Sequence, residues 1–173
     1  AQTVANVFGG FTRALAGMDS RKLRPILSRF HDLKSRFEQM ENAVAKAPIE
    51  KLLKSTHVIA AFRERKKLVE FFEQIQSDPA YPDRVMHHDC KISNILFDRI
   101  SGAVICPVDL DTLMPGKFFS DLGDMIRSMC CAEDENSVRW ELVTIEPSYY
   151  RAVLLGYLAA VESIFSSAEK EHI

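Results

Sequence analysis

Residues 84–111 read RVMHHDCKISNILFDRISGAVICPVDLD, and this stretch determines how the rest of the chain is interpreted. Short apolar runs at 85–86, 95–97 and 103–106 are separated by the polar segments HHDCKISN and DRISG. Apolar runs of this length, bounded by turn residues, predict short β-strands, two of them joined as a hairpin through DRISG. The acidic residues of interest lie on the loops around this β element.

The sequence on both sides of this stretch is patterned for helices. Apolar residues recur at spacings of three and four, and proline, glycine and polar clusters separate the patterns. The predicted helices are 4–18, 30–47, a segment beginning at Pro48, 58–75, 121–131 and 147–163. The basic run RERKK inside 58–75 is interpreted as a solvated helix face. The predicted fold is therefore α+β and mainly helical, with a small β-hairpin element.

Length and charge exclude several classes of protein. At 173 residues with 47% hydrophobic content, the chain is long enough to bury one sizeable core, so a single domain is expected. Lysine and arginine total 22 against 24 acidic residues, a net charge of -2, so no basic field predicts binding to nucleic acid or to an anionic membrane.

Cysteine spacing and hydropathy predict a cytoplasmic protein. No stretch approaches the roughly 20 apolar residues of a membrane span, and the first residues lack a basic region followed by an apolar run. The cysteines have no metal-ligand spacing, and the two adjacent ones are poorly placed to bridge each other. They are Cys90, Cys106, Cys130 and Cys131.

HHDCKISN and VDLD contain the side chains that phosphoryl transfer requires. The reaction needs a carboxylate that orients the acceptor hydroxyl and accepts its proton, a cation near the transferred group, and oxygen ligands for Mg²⁺. Asp89 and Lys91 provide the first two, and Asn94 with Asp109 provides the third. Two protein ligands are enough for Mg²⁺, which keeps several of its waters.

HHDCKISN resembles the His-x-Asp-x-Lys-x-x-Asn catalytic loop of protein kinases and of the aminoglycoside/choline phosphotransferase superfamily. VDLDTLMPGKFFSDLGDMIRS resembles the metal-binding Asp segment of that superfamily and the helix start that follows it. Within the superfamily, LSRFHDLKSRFEQMENAV and VDLDTLMPGKFFSDLGDMIR are most similar to bacterial N-acetylhexosamine 1-kinases.

The resemblance implies a role for each matching residue of the reaction centre. Asp89 is implied as the base in contact with substrate, and Lys91 as the cation that reaches the transferring phosphate of ATP. Asn94 and Asp109 are implied to hold Mg²⁺, with Asp111 assisting.

The same comparison implies roles for residues around that centre. Asp121 resembles the helix-start carboxylate that supports the catalytic loop through its backbone, and Asp124 and Arg127 are candidates for the acceptor pocket. His87 is expected to pack beneath the loop and order it, so it is left out of catalysis. Cys90 is interpreted as a small filler residue.

Two departures from the family pattern affect what is expected. His88 stands where many protein kinases have an arginine that reads a phosphorylated activation loop, so that control is not expected. The chain shows no glycine-rich phosphate loop and no identifiable nucleotide-anchoring lysine on a strand. Residues 1–173 are therefore expected to be the C-terminal lobe of a kinase-like enzyme without its N-terminal nucleotide lobe, and inactive alone.

The sequence thus predicts an ATP- and Mg²⁺-dependent kinase acting on a small-molecule hydroxyl, with the anomeric hydroxyl of an N-acetylhexosamine as the first choice. A choline-, homoserine- or aminoglycoside-type acceptor is the alternative among enzymes. A kinase-like protein that binds a ligand or partner without turnover remains a different class of function. The sequence leaves the acceptor, the nucleotide preference and the oligomeric state open.

Overall fold

The structure is a computed structural model that describes residues 1–134 and 136–173, without the side chain of Trp140. Within the described residues there are seven α-helices and four short strands. The helices are α1 (Gln2–Ala14), α2 (Leu33–Lys46), α3 (Ile49–Glu64), α4 (Lys66–Ser77), α5 (Phe119–Met129), α6 (Pro147–Val161) and α7 (Ser167–Glu171). The strands are β1 (Arg84–Met86), β2 (Ile95–Phe97), β3 (Val104–Pro107) and β4 (Met114–Gly116). The prediction of a mainly helical α+β fold is confirmed.

The predicted hairpin is formed by β2 and β3, which pair antiparallel. Its turn is closed by Asp98, whose Oδ1 accepts hydrogen bonds from the N–H of Ile100 and from both the N–H and the hydroxyl of Ser101. Gly102 follows with φ of 69°, a conformation that glycine adopts at little cost. The sequence DRISG therefore forms the tight connection its composition predicts.

A second strand pair was not predicted from the sequence. β1 pairs antiparallel with β4, with Met86 opposite Met114. β4 is three residues long and contains Pro115, so it carries neither an alternating pattern nor a full set of ladder donors. The pair fixes the end of β1, from which the polar segment HHDCKISN emerges.

Residues 1–27 and 80–173 form one compact unit, in which α1 packs against α6. The helices approach closely at Gly9, where an added Cβ would lie 2.8 Å from the Cβ of Ala160 and 2.9 Å from the carbonyl oxygen of Tyr157. The absence of a side chain at Gly9 thus allows the two helices to pack closely. α1 ends at Ala14, four residues before the predicted limit.

Residues 28–79 form the second compact unit, made of α2, α3 and α4. The prediction of one helix over 58–75 is wrong, because the chain breaks at Arg65, inside the basic run. Beyond the break, α4 packs on α2. The guanidinium of Arg63 forms two hydrogen bonds of 2.8 and 2.7 Å with the carboxylate of Glu41, which links α3 to α2.

The C-terminal end of the first unit is fixed by a buried ion pair. Glu169, fully buried in α7, accepts hydrogen bonds of 2.9 and 2.6 Å from Arg84 at the start of β1. Glu169 also forms a capping box with Ser166. The five-residue α7 was missed in the sequence, since it is too short for a periodic signal. Of the helices in the described residues, none has the length and apolar character needed to cross a membrane.

Candidate active site

His87 begins the polar segment and lies fully buried beneath it. Its Nδ1 accepts a hydrogen bond from the N–H of Asp89 at 3.3 Å, and its Nε2 lies 3.0 Å from the carbonyl oxygen of Val108. Because Nδ1 accepts, Nε2 carries the proton and donates to Val108. The rings of Phe8 and Phe11 pack edge-on against the imidazole. His87 therefore orders the loop from below, as expected.

The backbone of the loop is held by two carboxylates from α5. Asp121 Oδ2 accepts a hydrogen bond from His87 N at 3.1 Å, and its Oδ1 accepts one from His88 N at 2.8 Å. Asp124 Oδ2 accepts a 2.6 Å hydrogen bond from Cys90 N. His88 has a left-handed backbone with φ of 66°, the type of bend that turns successive N–H groups toward one anion. Asp121 makes the supporting contact that the resemblance implies.

The carboxylate of Asp89 is surrounded by donors from the same loop. Its Oδ2 accepts hydrogen bonds of 2.8 Å from Asn94 Nδ2 and of 2.8 Å from Lys91 Nζ. Asn94 Nδ2 also donates to the carbonyl oxygen of Asp89 at 2.9 Å. The side chain of Asp89 is 23% exposed, so a ligand can reach it from one side.

These contacts determine the charge of Asp89. Burial alone would raise its pKa, but the hydrogen bonds from Lys91 and Asn94 and the positive charge of Lys91 outweigh burial and lower the pKa below its ordinary value. Asp89 is therefore ionised at neutral pH and can accept a hydrogen bond from an acceptor hydroxyl.

The hairpin brings Asp109 to the same place. Strands β2 and β3 continue beyond their paired residues through a hydrogen bond of 2.9 Å from Val108 N to the carbonyl oxygen of Asn94. Asp109 follows with a left-handed φ of 63° and is exposed. A hydrogen bond with the carboxyl of Asp111, and the negative charge of Asp111, raise the pKa of Asp109.

The donor chemistry around Asp109 fits Mg²⁺. Asp109 and Asp111 place two carboxylates within hydrogen-bonding distance of each other, and Asn94 has its amide nitrogen on Asp89, which leaves its carbonyl oxygen for a metal. Among the described residues, no group of three or more His, Cys, Asp or Glu side chains could enclose a metal by itself. An open set of two carboxylates and an amide is typical of Mg²⁺ that shares its shell with water and phosphate oxygens.

Asp124 and Arg127 form their own pair on α5. Asp124 Oδ1 accepts hydrogen bonds of 3.0 and 2.8 Å from Arg127 Nε and Nη2. The side chain of Asp124 is 5% exposed, whereas that of Arg127 is 49% exposed. Arg127 is thus half exposed, and Asp124 directs its second oxygen at the loop backbone.

Sequence reasoning missed three residues that shape the loop. The hydroxyl of Thr112 donates to the carbonyl oxygen of His87 at 2.6 Å, and that of Ser128 donates to the carbonyl oxygen of Cys90 at 3.1 Å. Gly116 lies against the His88 ring, where an added Cβ would be 2.5 Å from Cε1. The signal available for Ser128 is its spacing of four and seven residues from Asp124 and Asp121, which places it on the same helix face.

Two comparisons with known proteins find a match for this chain. Among solved structures, the chain is similar to an aminoglycoside-3'-phosphotransferase of type VIII, with 19% sequence identity and a TM-score of 0.45. That match covers 97% of this chain and 57% of the other, so the chain spans somewhat more than half of that protein's length. A family model described as the phosphotransferase enzyme family matches residues 5–160. The chain therefore belongs to the phosphotransferase enzyme family.

Proposed function

We propose that the chain carries the catalytic loop of an ATP- and Mg²⁺-dependent kinase that phosphorylates a hydroxyl group of a small molecule. The observation that carries the proposal is the hydrogen-bonded group of Asp89, Lys91 and Asn94, placed beside Asp109 by the β2–β3 hairpin. Membership of the phosphotransferase family supports the same reaction.

In the proposed reaction, Asp89 orients the acceptor hydroxyl and takes its proton. The hydroxyl oxygen forms a bond to the γ-phosphorus of ATP while the bond from that phosphorus to the β–γ bridging oxygen breaks, and ADP leaves. Because the pKa of Asp89 is lowered, Asp89 first orients the hydroxyl as a hydrogen-bond acceptor and takes its proton late in the transfer. Lys91 moves from Asp89 toward the phosphate as that charge arrives.

The metal is assigned to Asn94 and Asp109, with Asp111 beside them. Mg²⁺ supplies charge neutralisation for the β- and γ-phosphate oxygens when it is bound. The protein's part is to hold the ligands rigidly: the left-handed turn at Asp109 and the hairpin below Asn94 fix the two sides of the site.

The acceptor proposed is a sugar such as an N-acetylhexosamine, reacting through its anomeric hydroxyl. Beside the loop lies an open cavity of about 310 Å³, and the described residues that line it carry no acidic side chain. They are Ala1, Ile92, Ser128, Met129 and Tyr149. A mainly apolar cavity whose described lining has no carboxylate side chain suits a neutral sugar ring better than a polycationic aminoglycoside, whose ammonium groups require carboxylates.

We further propose that the clamp on the nucleotide phosphates comes from outside residues 1–173, as the C-terminal-lobe interpretation implies. The polar loop and the hairpin carry the proposed base and metal ligands, and α5 holds the backbone of the loop. A kinase also needs a cover over the phosphates, which excludes water from the transfer.

The experiment is to incubate the intact protein with ATP and Mg²⁺ against sugars, amino alcohols and aminoglycosides, and to detect phosphorylated products by mass spectrometry. The proposal expects a sugar 1-phosphate that is absent when Mg²⁺ or sugar is omitted. If product forms only with amino alcohols or aminoglycosides, the proposed sugar acceptor is wrong and the reacting compound takes its place. If ATP raises the melting temperature in a Mg²⁺-dependent way but no acceptor yields product, the protein is a non-catalytic binder.

A further inference from the structure

The carboxylate of Asp124 accepts hydrogen bonds from two residues, and the bond from the catalytic loop is the shorter. Its Oδ2 accepts from the backbone N–H of Cys90 at 2.6 Å, and its Oδ1 accepts from the guanidinium of Arg127. With 5% of its side chain exposed and both oxygens occupied within the protein, Asp124 is not presented to a ligand. Its chemistry is that of a charged anchor for a buried peptide group.

The N–H groups of four consecutive loop residues are all accounted for. Those at His87 and His88 bind Asp121, that at Cys90 binds Asp124, and that at Asp89 binds the His87 ring. The carboxylates, three residues apart on one face of α5, therefore hold the backbone on both sides of Asp89. Hydrogen bonds from N–H groups to carboxylates are shorter and stronger than those between neutral groups.

We propose that Asp124 is a positioning residue for Asp89, which fixes the loop on the C-terminal side of the base as Asp121 fixes it on the N-terminal side. This inference rests on the proposed function for the role of Asp89, but the anchoring of the loop stands on geometry alone. Arg127 pairs with Asp124 and balances its charge, which stabilises a buried carboxylate on this face of α5.

The consequence for catalysis is a defect in turnover rather than in binding. Displacing a reacting group by about 1 Å costs on the order of 10²-fold in rate. Loss of the anchor in Asp124→Leu is therefore expected to lower kcat by roughly that factor while the KM for ATP stays within about threefold. Asp124→Asn keeps a carbonyl oxygen for Cys90 N–H and should recover most of the rate. A direct acceptor contact would instead raise the acceptor KM in both variants.

A test independent of catalysis uses Cys90 itself as the reporter. Cys90 and Cys130 are both fully buried, and only Cys90 lies on the anchored loop. Alkylation of each thiol by iodoacetamide, followed by mass spectrometry of the native protein, measures local opening. Asp124→Leu should raise the labelling rate of Cys90 at least tenfold relative to Cys130, and Asp124→Asn should stay within about threefold of the natural protein.

The matched control is Glu169→Leu, which removes another buried, arginine-paired carboxylate that accepts from a backbone N–H, that of Ser166. It should leave the ratio of Cys90 to Cys130 labelling unchanged. If Asp124→Leu fails to fold, Asp124→Ala takes its place in both measurements. The proposed anchoring of the loop by Asp124 would be overturned by an unchanged labelling ratio in Asp124→Leu, or in Asp124→Ala where that variant replaces it. It would also be overturned by the same change in Glu169→Leu. If the labelling result holds and the intact natural protein transfers no phosphate, the proposed function fails instead.

Discussion

At the scale of single residues, the neighbouring carboxyls of Asp109 and Asp111 bear on the proposed metal site. The hydrogen bond with Asp111, and the negative charge of Asp111, raise the pKa of Asp109, because ionising both carboxyls brings two like charges together. A divalent cation removes that repulsion. The raised pKa is therefore in keeping with the proposed assignment of Mg²⁺ to this pair.

Asp109→Ala is expected to weaken metal use by the intact protein. The remaining ligands, Asn94 and Asp111, supply one amide oxygen and one carboxylate, so the Mg²⁺ concentration for half-maximal activity should rise at least tenfold, or activity should be lost. Titrating Mg²⁺ against product formation measures this. The control is Asp98→Ala, which alters the turn of the same hairpin but removes no proposed metal ligand. It separates the effect of losing a metal ligand from the effect of loosening the hairpin. An unchanged Mg²⁺ curve in Asp109→Ala rules out the assignment.

Cys90 gives a pH-dependent prediction at the same scale. Burial, and then the charges of Asp121 and Asp124, raise the pKa of the Cys90 thiol well above its ordinary value. In the unfolded chain the thiol loses its proton near pH 8.5, so the free energy of unfolding decreases as the pH rises above that value. The stability that the neutral thiol provides is fully present below pH 8.5 and is lost as the pH rises toward the folded-state value.

The measurement is the free energy of unfolding by urea from pH 7 to pH 10, compared with Cys90→Ala. The natural protein should lose stability more steeply with rising pH than the variant does. Parallel slopes for the two proteins would show that Cys90 is as accessible to water as a thiol in the unfolded chain.

At the scale of elements, the packing of α1 on α6 distinguishes two neighbouring glycines. On an exposed helix face, Gly→Ala stabilises by up to about 1 kcal/mol. Gly10 has no neighbouring atom within 4 Å of the position that a Cβ would occupy and should follow that rule, whereas Gly9 contacts Ala160 and Tyr157. Gly9→Ala should destabilise by about 1–3 kcal/mol through overpacking. Chemical denaturation of both variants tests this, and equal effects would contradict the close approach of the helices.

The elements that sequence reasoning found and missed differ in how local their causes are. The β2–β3 hairpin follows from DRISG and the apolar runs beside it, which lie within about ten residues. β4 exists only because β1 lies beside it, and three residues containing Pro115 carry no such information. The break at Arg65 falls in the charged run RERKK, which has no apolar residue between Phe62 and Leu68 and no Gly or Pro to mark the end of a helix.

The same distinction applies to the site. The spacing of Asp89, Lys91 and Asn94 within one loop could be recognised in the sequence because the three side chains meet locally. The hydrogen bond from Cys90 N to Asp124 spans 34 residues and depends on where α5 docks. No local pattern distinguishes a carboxylate that meets a backbone N–H from one that meets a ligand.

At the scale of the whole molecule, folding and activity are expected to separate. Residues 1–173 contain two compact units, and the first has a continuous core that includes Phe8, Met125 and Tyr157. We expect this chain alone to unfold cooperatively but to yield no sugar phosphate, since catalysis requires the phosphates to be clamped. Thermal unfolding and a product assay of the isolated chain measure both properties. Turnover equal to that of the intact protein would show that residues 1–173 hold a complete nucleotide site.

The most direct test of the account is the turnover of Asp89→Asn in the intact protein. The amide keeps the size of the side chain but cannot take the hydroxyl proton, so kcat should fall by roughly 10²-fold or more while the affinity for ATP stays nearly unchanged. Asp19→Asn changes a partly exposed carboxylate that is paired with Arg21; this variant serves as the control and should leave both constants as they are. A folded Asp89→Asn protein that turns over at the natural rate would contradict the assignment of Asp89 as the base.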